Sequence, residues 1–142
     1  MKTEHWALVV SVLALIAAIG IPVWQSVSAG VQARATRRSV LLQSILNAKT
    51  TTIVTSHDLL YLLQRHGSKM AEQQRATLAA MHTRMRQHFG ELEQLHDAWA
   101  DFKDGESLSA LEVALAQVNV IMAEAMETSK LIDNGRKSYE DT

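Results

Sequence analysis

Cysteine is missing from this sequence altogether. Its absence removes a disulfide framework, a thiolate zinc site, an iron–sulfur cluster and a cysteine nucleophile together. Proline occurs once, at Pro22, and turn signals are few, so the punctuation that short strands need is scarce. A dominant charge sign is also absent. The 14 Lys/Arg and 15 Asp/Glu leave a net charge of -1, which argues against a protein built for nucleic acid. No P-loop, dinucleotide fingerprint, nucleophile elbow or zincin helix occurs, and Ser, His and Asp stand at no triad spacing. The arginines near residues 34–38 and 84–86 have no interleaved aromatics to stack on bases. With 47% hydrophobic and 20% charged residues among 142, the chain is neither disordered nor collagen-like and suits a single domain.

What is present begins with nineteen uncharged residues, Trp6 to Trp24. At 1.5 Å per residue the run covers roughly 28 Å, close to the hydrocarbon thickness of a bilayer. Trp6 and Trp24 end it, and tryptophan favours the headgroup level because its ring is apolar and its N–H is not. The sequence therefore predicts a short tail over 1–5, a transmembrane helix over 6–24, kinked or ended near Gly20 and Pro22, and a linker over 25–30. Lys2, the apolar run and Val27-Ser28-Ala29 before Gly30 also fit a secretory signal. The length of the run and its tryptophan pair favour a retained anchor. Arg34, Arg37 and Arg38 follow the span, and basic residues resist translocation. These three belong to the membrane interface, with the helical domain in the cytoplasm of a single-pass cell-membrane protein.

Beyond the linker no strand alternation persists. Gly67-Ser68 and Asp104-Gly105 divide residues 31–133 into three helical segments, about 31–66, 69–102 and 107–133. Ser68 suits the N-cap of the second, and Ser109 with Glu112 suits a capping box for the third. Apolar positions alternate by four and three residues. The first stripe is Leu41, Ile45, Ala48, Thr52, Thr55, Leu59 and Leu62, with Leu42, Leu46, Ile53, Leu60 and Leu63 beside it. The second runs Leu78, Met81, Met85, His88, Leu92, Leu95, Trp99, Phe102, and the third Leu108, Leu111, Leu115, Val118, Met122, Ala125, Ser129, Ile132. A 3.5-residue period and two short connections predict an all-α fold, an antiparallel three-helix, coiled-coil-like bundle after the membrane helix. Residues 134–142 read as a disordered tail.

Charge supports that pairing. Residues 1–90 carry ten Lys/Arg and three Asp/Glu, or +7, while residues 91–142 carry four and twelve, or -8. Folding at the two turns brings Asp97, Asp101, Asp104 and Glu106 toward Arg34, Arg37 and Arg38. The run Thr50 to Thr55 is β-branched throughout and makes a weak middle for the first helix. It marks a helix held by its neighbours, a softer segment that bends or rearranges, or a second interface.

The candidate chemistry is sparse. Glu93-x-x-His96 has the spacing used by di-iron bundles, but no second copy exists, so no metal or other cofactor is expected. His88 occupies a core stripe, opposite Ile45 and Met122 in a simple antiparallel alignment. It is either a satisfied core histidine or a pH-sensitive residue whose protonation loosens the bundle. His82 and His96 fall off the stripe and are expected in solvent. Met81, Met85, Met122 and Met126 are expected to fill the core. A short N-terminus, a span and a helical bundle is similar in outline to the first part of a bacterial chemoreceptor. The second span and the signalling hairpin have no counterpart here.

The functional expectation is a non-enzymatic accessory, scaffolding or oligomerising subunit. Its partners would be the lipid bilayer and either another protein or itself, through uncovered helix faces, with no nucleic acid or small-molecule substrate. The alternatives are a membrane-perturbing effector activated by oligomerisation, or a periplasmic helical-bundle sensor if the orientation is reversed.

Overall fold

The computed structural model describes residues 2–101 and 107–140, with side chains over 10–101 and 107–137. Three helices make up the fold: α1 (Lys2–His66), α2 (Glu72–Ala100) and α3 (Leu108–Glu140). No strand occurs among the described residues. The chain divides into two units, Met1–Arg37 and Arg38–Thr142.

In the first unit the expected linker over 25–30 is helical, as is the whole of Lys2–His66. Nothing in Gln25–Gly30 removes a backbone donor, and the Ser28 hydroxyl donates to the Gln25 carbonyl at 3.0 Å, within its own helix. A single glycine there costs only about 1 kcal/mol relative to alanine. Extending a helix that already exists is far easier than starting a new one. Pro22 likewise lies inside the helix. The apolar side chains of Val10–Val31 point outward all round, with exposures from 47% at Val12 to 71% at Trp24. The side chain of Trp6 and the residue Met1 lie outside the described residues.

The second unit is a helical bundle. Every residue of the first stripe, Leu41 through Leu62, is buried, and α2 buries Met85, His88 and Leu92. Helix α3 buries Leu111, Val118, Ala125 and Ile132, and also Ala114, Ile121 and Thr128. One cluster gathers Leu41, Ile45, Ala48, Leu92, Leu111, Val118 and Ile121. The other gathers Leu59, Leu62, Met85, Ala125 and Ile132. The Arg38 guanidinium donates to the carbonyls of Trp99, at 2.9 Å, and Ala100, and Lys49 meets Glu93 at 3.5 Å.

The connections depart from expectation in detail. Helix α1 ends at His66, and Gly67 donates its N–H to the Leu63 carbonyl at 3.0 Å. A Cβ at Gly67 would run into that same carbonyl oxygen, so the stop needs glycine. Helix α2 begins at Glu72 rather than 69, and Ser68 does not cap it. Ala71 is the N-cap, and its N–H is satisfied by the Gln74 side chain at 3.3 Å. Helix α3 is capped by Ser107 and not Ser109, because the Ser107 hydroxyl accepts from Ala110 N–H at 3.2 Å. Residues 134–140, expected to be disordered, continue α3. There Arg136 ties the helix end to Asp58 at 3.7 Å. Phe102, Asp104, Gly105 and Glu106 lie outside the described residues.

Candidate functional site

The two apolar clusters are separated by polar residues on α1 and α2. On α1 the separators are Thr52 and Thr55, between Ala48 and Leu59; on α2 the separator is His88, between Leu92 and Met85. This is the β-branched stretch that looked weak in the sequence. It is helical nonetheless, and Thr50, Thr51 and Thr52 turn their hydroxyls onto the carbonyls four residues back, at 3.0, 3.0 and 2.6 Å. Such back-bonding satisfies the buried Thr52 hydroxyl without a partner on another helix.

His88 is 2% exposed. Its Nδ1 faces Glu91 Oε2 at 3.2 Å and its Nε2 faces Glu124 Oε2 at 2.8 Å. The other Glu124 oxygen accepts from Arg84 Nε at 3.1 Å. An Arg84–Glu124–His88–Glu91 chain therefore links α2 to α3 across the edge of the bundle. Burial raises the Glu124 carboxyl, but hydrogen bonds from Arg84 and His88, with their charges, outweigh it and leave the group below its ordinary 4.5. A neutral imidazole donates from one nitrogen only, whereas a protonated one donates from both. A carboxylate oxygen faces each ring nitrogen of the buried imidazole.

The register explains the partner. Simple alignment set His88 against Ile45 and Met122, and the residue it meets is Glu124, two positions along. Glu91 was visible as the i, i+3 neighbour of His88. Glu124 and Arg84 were missed because each sits just off its apolar stripe. The remaining sequence candidates scatter. Arg38 reaches the end of α2, where it donates to the Trp99 and Ala100 carbonyls. Arg34, Arg37 and Trp24 are exposed. Glu93 pairs with Lys49 and His96 with Asp97 at 3.5 Å, so the Glu93-x-x-His96 spacing gathers no ligands. Among the described residues no group of three or more His, Cys, Asp or Glu is arranged to hold a metal ion. Met85 is buried, while Met126 is exposed.

The arrangement borders a cleft of about 390 Å³, which Arg84 and Glu124 line together with Met81, Glu127 and Thr128. Chemically it can fix which faces of α2 and α3 meet, since a slipped register strands a buried imidazole. No family model, curated protein or solved structure matches the chain.

Proposed function

We propose that the chain is a single-span membrane protein whose up-down-up, coiled-coil-like bundle works without catalysis, as an accessory or scaffolding subunit that assembles with protein. The observation that carries this reading is the uncovered N-terminal helix. A helix apolar all round, with none of its most apolar stretch buried, has lipid as its natural surroundings. Helix α3 is also long and apolar enough to cross a bilayer, but it buries one face in the bundle, so the anchor is assigned to α1. Arg34 and Arg37, exposed after the apolar run, support a cytoplasmic bundle by the positive-inside preference. The pairing of Arg38 with Trp99 and of Lys49 with Glu93 supports the antiparallel run of α1 and α2.

Native mass spectrometry of the full-length protein, gently extracted from its own membranes, tests the assignment. A stable complex, with another protein or with further copies, is the expected result. A strictly monomeric chain that carries no partner overturns it.

A further inference from the structure

Two of the apolar faces that the bundle leaves uncovered are complementary. The first is a cleft of about 510 Å³ between α1 and α2, lined by Ile53, Leu60, Met85 and Phe89, with Gly90 in its wall. Exposed Leu46, Ile53 and Leu60 recur every seven residues along α1, an apolar seam of about 21 Å at 1.5 Å per residue. A seam of that length and period fits a helix. Three basic side chains, His57, His82 and Arg86, also line the cleft, together with Glu93, which is paired with Lys49. None of the three has a carboxylate partner among the described residues.

The second face is the outer side of α3. Val113, Ala116, Val120 and Ala123 form a stripe there at spacings of three and four. Val113 is 70% and Val120 65% exposed, and both alanines are open to solvent. From residue 107 to 129 the chain has no Lys or Arg, and Glu112 and Glu127 flank the stripe.

We infer that the α1–α2 cleft of one copy receives the outer face of α3 from a second copy. This rests on the membrane-anchored assembly proposed above and names its partner and contact. Charge complementarity argues for it, basic cleft against acidic stripe, and so does height. Within one copy Arg84 and His88 both reach Glu124, so Arg86 stands level with Glu124 and the following turn of α3. Two bundles side by side in the same sense and register therefore set Glu127 of one level with Arg86 of the other. The surfaces joined are different, so the contact is head-to-tail and propagates into rings or rows rather than stopping at two.

The cysteine-free chain permits a direct test in native membranes. Full-length copies carrying only Ile53→Cys are co-expressed with differently tagged copies carrying only Ala123→Cys, then oxidised. Mixed dimers are expected, and a chain bearing both cysteines should give a ladder beyond dimer. Arg86→Glu should reduce the mixed product several-fold, and adding Glu127→Arg should restore it. All four positions are on the surface, so helicity should be unchanged. Cross-links only between like positions, no cross-links, or failure of the charge exchange to restore the product overturns the inference. If a complex still appears by native mass spectrometry, the assembly reading survives that failure; a lone monomer removes both.

Discussion

His88 is the one residue at which burial, hydrogen bonding and charge meet. Cutting it back to alanine leaves a hole between the two apolar clusters and removes the imidazole that bridges Glu124 and Glu91. Cavity and lost hydrogen bonds together should cost about 2–3 kcal/mol, read as a lower urea midpoint in the helical signal of the full-length protein in detergent. His88→Leu restores most of the volume and should lose less; equal losses would mean that packing contributes little at this position. Glu124 adds an acid dependence. Its carboxyl lies below 4.5 in the folded chain, so the stability it contributes is present above 4.5 and disappears as pH falls through the lower, folded value. Partial exposure keeps the effect small. Unfolding midpoints measured downward from pH 5 should fall less steeply in Glu124→Gln than in the parent chain. Parallel curves would assign the acid loss to other carboxylates.

At the scale of the helices, two glycines should respond in opposite ways to the same substitution. Gly67→Ala forces a Cβ against the Leu63 carbonyl where α1 must stop, and should destabilise by more than 1 kcal/mol. Gly90 lies within α2 with nothing within 4 Å of an added Cβ, and Gly90→Ala should raise stability by about 0.5–1 kcal/mol. A thermal melt of each variant separates them. These elements also show what was legible. All seven residues of the first α1 stripe are buried because a 3.5-residue apolar period has one stable use, as a seam. The stops were less visible. Ser68 and Ser109 have good capping chemistry, yet the cap depends on which residue precedes the first turn after packing has set the helix start. The linker and tail were misread because polar, small-residue stretches are weak helix formers alone and become helical when a neighbouring helix extends into them. Glu124 was hidden for another reason. It sits beside the stripe and becomes a partner of His88 only through a register that tertiary packing fixes.

For the whole molecule, the question is what the uncovered part of α1 does to the rest. Its apolar side chains have no protein to pack on, and leaving that much apolar surface in water is costly. Insertion in a bilayer, as proposed, would remove the cost and confine every copy to one plane. In that plane, faces too small to associate from dilute solution meet at much higher effective concentration. Anchoring and assembly should therefore be coupled. Replacing Leu13 and Ile16 with arginine places two charges near the middle of the span, at about 2.5–3.5 kcal/mol each. The variant should leave the carbonate-resistant membrane pellet, and the mixed Ile53→Cys and Ala123→Cys product should fall with it at equal expression. Loss from the pellet with cross-linking unchanged would show that the bundle assembles without the bilayer. Retention in the pellet would place the membrane attachment elsewhere, and α3, apolar on its outer face as well as its inner one, would be the next helix to test in the same way.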